Sequence, residues 1–366
     1  MNKKWVLLYM SNPNWWRNRN VMGWAEIIMW NMISHIDKFD WYVIGTKQII
    51  SLLWYNFDKN NIRVFPINNI FTRSNIFLDL IFWVIYLIKW IIFGLKSKEY
   101  ITVVYSSTTN FSDILPAKII SVLLWKPLIT KYHISIYESI SLTSIYKTFR
   151  SEKNWVIDSF IRWILAKITI SILQSSDINI CTCKYVAKQL ENAGIWSSKI
   201  AVNYLWFDLN QINNTISSFW EQIKIYDFCY LWRIEKNKWV QDIVDLVEFY
   251  RNKWVNKNVI IIGDWTFLCE IKDKVLKLWL SSNFNFVGFI SWNEKYKFLL
   301  QSKIFIAPSY AKEWFGMTIF EAAYAGCQVI AYNNEIFNEV YQNISNIHLV
   351  KKWIWSWEMY SIIENI

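Results

Sequence analysis

The chain has 366 residues, a formal net charge of +10 and 54% hydrophobic residues. This length accommodates two domains of ordinary size, each with a full core. Five cysteines without paired spacing argue against a secreted disulfide framework, and the first apolar run is too short for a signal peptide. We therefore expect a cytoplasmic protein. Its positive charge favours anionic partners: nucleotide diphosphates, phospholipid headgroups or nucleic acids.

Tryptophan and glycine occur in unusual numbers, 25 and 8 residues respectively. Average usage gives glycine about 7 per cent, or roughly 25 residues in a chain of this length. Tryptophan also falls in turn sequences, as Gly-Asp-Trp at 263–265, Leu-Trp-Arg at 231–233 and Asn-Lys-Trp at 237–239. One hypothesis is that many of these tryptophans are UGA codons of an organism that reads UGA as glycine. The alternative is a tryptophan-rich protein, which lacks the positive φ angles that glycine supplies at such turns.

Short apolar runs alternate with helical segments along the first 210 residues. Strands are predicted at residues 5–10, in FDWYVIGT, in NIRVFPI, in YITVVYSS and in KPLITKYHIS, and DINICTCKYVAKQLENAGI predicts a strand, a turn and a helix. This alternation is typical of an α/β domain with a parallel sheet. His133 ends the fifth strand, at the edge where open α/β sheets bind ligands. A histidine bonded to a neighbouring loop is the alternative.

Residues 76–95, IFLDLIFWVIYLIKWIIFGL, form the most apolar run of the chain. The run is just long enough to span a bilayer, but Asp79 and Lys89 interrupt it and a strand follows at once. We expect instead an apolar helix that is buried on the sheet or lies in the membrane interface.

The polar segment 211–222, QINNTISSFWEQ, has no apolar periodicity. We interpret it as a linker between a first domain, 1–210, and a second domain, 223–366. The second domain contains strand-like runs in KIYDFCYL, NVIIIGD and NFNFVGF. It then reaches two further runs, KIFIAP and CQVIAY, which flank a short helical segment and predict a βαβ unit.

The βαβ unit carries residues suited to binding a phosphorylated sugar. Its helix is expected to begin near Gly316 and to end at Gly326. Free N–H groups and the positive end of the helix dipole at such a beginning provide donors for a phosphate or a sugar hydroxyl. Glu313 and Glu321 suit vicinal diols, because carboxylates accept bidentate hydrogen bonds. Two surface glutamates in an ordinary βαβ unit are the alternative for so short a pattern.

The stretch 308–331, PSYAKEWFGMTIFEAAYAGCQVIA, resembles the donor-binding signature of retaining glycosyltransferases of GT-B fold and family 4 type (glycosyl transferases group 1), P-S-x-x-E-G-F-G-x-x-x-x-E-A-x-A-x-G-x-P-V-I. The corresponding residues are Pro308, Ser309, Glu313, Phe315, Gly316, Glu321, Ala322, Ala325, Gly326, Val329 and Ile330, with one extra residue between Ser309 and Glu313 and with Ala325 one position after the family's alanine. Trp314 stands where the family has glycine, and Gln328 where it has proline.

Other parts of the chain extend the resemblance. With glycine at positions 232 and 239, the segment around Arg233 and Lys238 resembles the family's G-R-x-x-x-x-K-G, whose cations neutralise the donor diphosphate. Two basic residues in a solvated surface turn are the alternative. Gly23 and Trp24 occupy the family's G-G-A-E turn after the first strand, which faces the donor phosphates. The family's histidine near the donor sugar corresponds to His133.

The resemblance implies a GT-B fold, an α/β architecture with two Rossmann-like domains whose parallel sheets face each other across a cleft. It implies transfer of a hexose from a nucleotide-diphosphate sugar, with retention, to a glycan or lipid-linked acceptor in cell-envelope polysaccharide or glycolipid synthesis. It assigns catalytic roles to His133, Arg233, Lys238 and Glu313. It assigns donor binding to Gly23, Trp24, Arg233, Lys238, Glu313, Trp314, Phe315, Gly316, Met317, Thr318 and Glu321.

The resemblance also implies that no metal or other cofactor is needed, because the cations and N–H groups stabilise the leaving diphosphate. We expect no nucleic-acid partner, but possible peripheral attachment at the inner face of the membrane. A GT-B sugar-nucleotide epimerase or phosphorylase is the enzymatic alternative. A basic membrane- or nucleic-acid-binding module is the non-enzymatic one, and it would bind in a salt-sensitive manner and ignore nucleotide sugars. The closing helix of the family looks short or absent, so we expect that the C-terminus is truncated.

Overall fold

The chain forms two units, Met1–Phe207 and Asp208–Ile366, in the computed structural model. The residues that the structure describes are 4–9, 39–46, 62–67, 87–96, 98–109, 111–132, 156–205, 207–219, 223–290, 293–310, 313, 315–352 and 356–366. Strands and helices are numbered below in chain order within this described part.

The first unit is built on a seven-stranded parallel sheet with the order β3-β2-β1-β4-β5-β6-β7. Its strands are β1 (Lys4–Tyr9), β2 (Phe39–Thr46), β3 (Ile62–Ile67), β4 (Ile101–Ser106), β5 (Leu128–Tyr132), β6 (Ile178–Cys181) and β7 (Ile200–Val202). The register places Val6 beside Trp41 on one side and beside Val103 on the other. The strands predicted in this half are confirmed, because parallel strands covered on both faces read as continuous apolar runs.

Four described helices belong to the first unit. They are α1 (87–96), α2 (Phe111–Leu124), α3 (Val156–Ser175) and α4 (Lys184–Asn192). The helix α1 is the end of the apolar run 76–95, and the rest of that run lies outside the described residues. Gly94 of α1 faces the side chain of Ile120 on α2, and Trp90 is buried. None of the helices in the described ranges combines the length and the apolar character needed to cross a bilayer.

The second unit contains a six-stranded parallel sheet with the order β10-β9-β8-β11-β12-β13. Its strands are β8 (Tyr226–Leu231), β9 (Val259–Ile262), β10 (Phe284–Gly288), β11 (Ser302–Ala307), β12 (Gln328–Tyr332) and β13 (Ile347–Val350). Its helices are α5 (Leu209–Ser218), α6 (Gln241–Asn252), α7 (Leu268–Lys277), α8 (Glu294–Leu300), α9 (Met317–Tyr324), α10 (Glu335–Tyr341) and α11 (Ser356–Glu364). The strands and the βαβ unit predicted in this half are confirmed.

The core of the second unit lies between the sheet and a layer of helices. Phe228 of β8, Ile261 of β9, Val247 of α6 and Met359 of α11 are all buried in it. The helix α11 is attached to α6 by polar and aromatic contacts as well. The Tyr250 hydroxyl donates a hydrogen bond to Glu364, and the rings of Tyr250 and Tyr360 have their centroids 4.9 Å apart.

Most of the segment 211–222, which we interpreted as a linker, is helical and belongs to α5. The Asp208 side chain begins this helix by accepting a hydrogen bond from the Gln211 N–H. Only Ile212 of α5 is buried, and the Tyr324 hydroxyl of α9 holds the helix by donating to Asn213. The apolar residues Leu209, Ile212 and Ile216 of α5 follow helical spacing, but only two of them lie within the segment 211–222, so that segment alone shows no period.

The strand order reverses between β8 and β11. From β8 the chain continues to β9 and β10 on one side, and from β11 it continues to β12 and β13 on the other. Loops after the two strands at such a reversal diverge around a crevice, which is where open α/β sheets bind their ligands. The loops that carry Lys238 and Glu313 are the ones that follow β8 and β11.

Candidate active site

The loop after β8 is fixed by main-chain hydrogen bonds on both sides. The Trp232 N–H donates to the Ile262 carbonyl at 3.1 Å, and the Tyr230 hydroxyl donates to the Arg233 carbonyl at 2.9 Å. A short 3₁₀ turn, Lys236–Lys238, follows, and the Lys238 N–H bonds to the Glu235 carbonyl. The turn directs Lys238 inward, where only 3% of the residue is exposed.

The loop after β11 meets the loop after β8. The Tyr310 N–H donates to the Asn237 carbonyl at 3.0 Å, so the two backbones are joined directly. The Glu313 side chain forms an ion pair with the Lys238 ammonium and accepts a hydrogen bond from the Ser309 hydroxyl at 2.6 Å. Lys238 and Glu313, both predicted from the sequence, are thus in contact.

Burial and neighbouring groups have opposite effects on the charge of Lys238. Desolvation lowers the pKa of its ammonium, while the Glu313 carboxylate opposes this effect. The Trp232 ring centroid lies 4.2 Å from Lys238 Nζ, so an aromatic face covers the cation beside its carboxylate partner. The ion pair therefore occupies a largely dehydrated position at the reversal of the strand order.

Arg233 belongs to the same loop but keeps contact with water. Its side chain is 47% exposed, and one guanidinium nitrogen lies 2.8 Å from Glu235 Oε1. The guanidinium carbon lies 5.8 Å from the Trp265 ring centroid. The charge of Arg233 contributes to lowering the pKa of Lys238, so the two cations share one electrostatic environment. A partly exposed arginine next to a buried lysine is an arrangement that attracts an anion.

Gly316 begins α9 in the left-handed conformation, with φ 71° and ψ 53°. A Cβ atom at this position would lie 2.7 Å from the Phe337 ring, so the close approach of α10 requires glycine. The Tyr341 hydroxyl of α10 donates to the Phe315 carbonyl at 2.7 Å. The helix begins where the sequence predicted, and α10 holds its first turn in place.

Thr318 and Glu321 lie one turn apart on α9, and both are buried. Burial raises the pKa of the Glu321 carboxyl, while the Tyr296 hydroxyl lowers it through a side-chain hydrogen bond. Thr318 Oγ1 has no hydrogen-bond partner within bonding distance in the part of the chain described here. Buried acceptors of this kind are rare in folded proteins and favour an external donor. Glu321 Oε1 lies 2.7 Å from the Lys295 ammonium.

The ion pair between Lys295 and Glu321 was missed by sequence reasoning. Burial lowers the pKa of Lys295 to about 8 and raises that of Glu321, while each partner opposes the shift of the other. Lys295 lies four residues before Leu299 on the buried face of α8, which was the available signal. In this structure Glu321 therefore contacts a lysine, where the family resemblance implies a ribose.

Several predicted residues cannot be placed. Gly23, Trp24, His133 and Trp314 lie outside the described residues, although β5 ends at Tyr132, directly before His133. Phe315, Met317 and Thr318 are described and form the beginning of α9. Within the described ranges, no group of three or more His, Cys, Asp and Glu side chains is arranged to hold a metal ion. Metal independence stays a prediction.

Comparison with known families connects this geometry to a reaction. Residues 221–354 match the family described as glycosyl transferases group 1. These residues include both loops that meet at Lys238 and Glu313, together with α9. Residues 221–354 therefore form a group 1 glycosyltransferase domain.

Solved structures support the fold of this glycosyltransferase. HepE from Anabaena, in complex with UDP and glucose, is 18% identical with a TM-score of 0.68, covering 98% of this chain and 89% of its own. Sucrose-phosphate synthase from Thermosynechococcus elongatus is 14% identical with a TM-score of 0.64, covering 100% and 90%. The galactosyltransferase WaaB of the lipopolysaccharide outer core is 14% identical with a TM-score of 0.59, covering 94% and 86%.

These likenesses agree with the two parallel-sheet α/β units of this glycosyltransferase, and its fold is GT-B. A search among curated protein sequences gave no significant match. The predicted group 1 glycosyltransferase family and the α/β GT-B fold class are thereby confirmed, whereas retention, the family 4 type and the roles of individual residues stay predictions.

Proposed function

We propose that this glycosyltransferase moves a hexose from a nucleotide-diphosphate sugar to a glycan or lipid-linked acceptor, with retention at the anomeric carbon. The observation that carries the proposal is the contact between Lys238 and Glu313. These residues come from the loops after β8 and β11 and meet where a parallel α/β sheet binds its ligand. A buried cation beside a buried carboxylate offers partners for both halves of a sugar diphosphate.

The donor diphosphate is proposed to lie against Arg233 and Lys238. Arg233 is partly exposed, so it can bind a diphosphate in competition with Glu235. The buried Lys238 and the first N–H groups of α9 supply further donors to the diphosphate. When the bond between the sugar and the diphosphate breaks, negative charge develops on the leaving oxygen, and these groups stabilise it.

The donor hydroxyls are proposed to bind the carboxylates and the threonine. Glu313 is fixed by Lys238 and by Ser309 and would accept a hydrogen bond from the sugar. Thr318 Oγ1 is a buried oxygen without a partner among the described residues, and a ribose hydroxyl would satisfy it. The Glu321 carboxylate, beside Lys295 and Tyr296, would accept a hydrogen bond from a second ribose hydroxyl. These contacts fix the orientation of the donor, which is a large part of catalysis in group transfer.

The proposed reaction is a displacement on one face of the sugar. The acceptor hydroxyl forms a new bond to the anomeric carbon while the bond to the diphosphate breaks on the same face, and the acceptor proton passes to the leaving diphosphate. No protein base is needed for this step. We propose accordingly that transfer proceeds without a metal ion, with Arg233 and Lys238 providing the positive charge.

The acceptor is proposed to be presented at an anionic membrane surface. On α1 three apolar side chains, Ile88, Ile92 and Leu95, are about half exposed and follow the spacing of one helix face. Lys89 and Lys96 on the same helix are exposed as well. Apolar residues bordered by lysines suit a helix that lies in the headgroup region of anionic lipids.

Two neighbours motivate the choice of substrates. HepE was crystallised with UDP and with UDP-glucose, so we propose a uridine diphosphate sugar as the donor to test first. WaaB acts on the lipopolysaccharide outer core, which favours a cell-envelope glycan as the acceptor.

The decisive experiment combines donor binding and transfer. A panel of nucleotide sugars is screened by thermal stabilisation, and the stabilising donor is then assayed with candidate acceptors.

Arg233→Ala and Glu313→Ala should remove transfer while the protein stays folded. The matched control is Lys303→Ala, because Lys303 is an exposed lysine paired with Asp227 at the beginning of β11. Full transfer in both site variants would overturn the proposal. Consumption of donor without acceptor, with an epimerised product, would identify an epimerase instead.

A further inference from the structure

Four residues other than glycine have a positive φ angle within the described ranges, and all four are tryptophan. They are Trp125 (φ 53°), Trp239 (φ 47°), Trp254 (φ 63°) and Trp279 (φ 56°). Non-glycine residues in this conformation are most often Asn, Asp or His. Tryptophan makes up only about one residue in fifteen of the chain. Four tryptophans among four such residues is far more than this frequency gives, so the left-handed conformation is associated with tryptophan in this chain.

Three of these tryptophans end helices through one hydrogen-bond pattern. At the end of α6, the Trp254 N–H donates to the Arg251 carbonyl and the Val255 N–H to the Tyr250 carbonyl. At the end of α2, the Trp125 N–H donates to the Val122 carbonyl and the Lys126 N–H to the Ser121 carbonyl. At the end of α7, the Trp279 N–H donates to the Leu276 carbonyl and the Leu280 N–H to the Val275 carbonyl. This is the Schellman motif, whose left-handed residue is usually glycine.

Glycine occupies the equivalent position in two other helices. After α4, the Gly194 N–H donates to Glu191 and the Ile195 N–H to Leu190; after α9, the Gly326 N–H donates to Ala323 and the Cys327 N–H to Ala322. Their φ angles are 84° and 82°. The backbone conformation and hydrogen bonds at Trp125, Trp254 and Trp279 are therefore the same as those at Gly194 and Gly326.

The side chains of the three helix-ending tryptophans contribute little to the fold. Trp125, Trp254 and Trp279 are 94%, 97% and 85% exposed. Tryptophan normally buries most of its large apolar surface, and an indole in water gains nothing from packing. Neither the backbone conformation nor the packing at these positions favours a tryptophan side chain.

We propose that positions 125, 239, 254 and 279 are glycine in the protein as its own cell makes it, encoded by UGA codons that this cell reads as glycine. The proposal rests on backbone geometry at all four positions and on exposure at 125, 254 and 279, and it does not depend on the proposed donor or acceptor. It assigns glycine by position, whereas composition alone shows only that tryptophan is in excess.

The coding DNA and the native protein provide the first test. UGA codons at all four positions, with glycine in the corresponding peptides of protein purified from its own cells, would establish the proposal. UGG codons at these positions, or tryptophan in the native peptides, would overturn it.

Stability provides a second test that uses recombinant protein. Trp254→Gly and Trp279→Gly should each raise the melting temperature by about 2–4 °C, because glycine adopts the left-handed conformation without strain. Trp254→Ala and Trp279→Ala are the matched controls, since alanine also removes the indole but keeps a Cβ. Trp163→Gly, inside α3, should lower the melting temperature because glycine weakens a helix interior. Glycine variants no more stable than the alanine variants would contradict the proposal.

Discussion

Lys295 Nζ lies 2.7 Å from Glu321 Oε1, and both side chains are almost completely buried. The pair joins α8 to α9 and fixes the helix whose first turn is proposed to hold the donor. Two charges removed from water cost desolvation energy, which their mutual attraction offsets only while both are present. The pair therefore matters most when one partner is removed.

Replacing Lys295 by methionine should destabilise the protein by about 3–5 kcal/mol, because the Glu321 carboxyl loses its buried partner. Urea unfolding would measure the change. Lys297→Met, two residues along α8 at an exposed position, is the control and should lie within about 0.5 kcal/mol of the unmodified protein. Equal stability of the two variants would show that the pair contributes nothing.

Replacing Thr318 by valine should have opposite effects on stability and on donor binding. The variant should be as stable as the parent or more so, because it removes a buried hydroxyl without a described partner. Its donor affinity should fall about tenfold, which corresponds to the loss of one hydrogen bond. Calorimetric titration with the stabilising nucleotide sugar tests this. Thr215→Val on α5, at a half-buried position outside the proposed donor site, serves as control. Unchanged affinity in Thr318→Val would remove Thr318 from the donor site.

The stability of the protein should fall as the pH rises from about 4 to about 6, because of the carboxyl group of Asp242 in the first turn of α6. Burial raises the pKa of Asp242 to about 6, an effect that Asp245 reinforces, while Tyr332 and Lys274 oppose it. The folded state thus binds a proton that the unfolded chain has already released, so rising pH favours unfolding.

The variant Asp242→Asn tests this dependence. It should flatten the stability profile between pH 4 and 6 and be more stable than the parent at pH 7 by about 1–2 kcal/mol. Chemical unfolding at several pH values gives the profile. A slope identical in parent and variant would assign the pH dependence to another group.

Replacing Ile92 and Leu95 of α1 by glutamate should weaken membrane attachment about tenfold, because two half-exposed apolar contacts are lost and negative charge is added. Sedimentation with vesicles of phosphatidylglycerol and phosphatidylcholine measures the bound fraction. Leu276→Glu, at an exposed position of α7 in the second unit, is the control. If the parent chain does not sediment with these vesicles, the membrane proposal is refuted.

The sequence predicted the parts of the site that short motifs encode. Lys238 and Glu313 could be named from their motifs, and parallel βαβ order explains why loops after β8 and β11 meet. Lys295 could not be separated from a solvated lysine, because its burial depends on how α8 packs against α9. The helix α5 was missed because its apolar spacing begins at Leu209, before the segment 211–222 that we interpreted as a linker.

Lys238 and Glu313 are separated by 75 positions in the sequence, which has a consequence for biosynthesis. Until Ser302–Ala307 has emerged from the ribosome, β8 cannot pair with β11. During this time β8, which contains the apolar residues Phe228 and Cys229, is an edge strand. Unpaired edges of this kind are prone to aggregate. A nascent chain stalled before β11 emerges should therefore depend on chaperones, whereas one released after β12 should not.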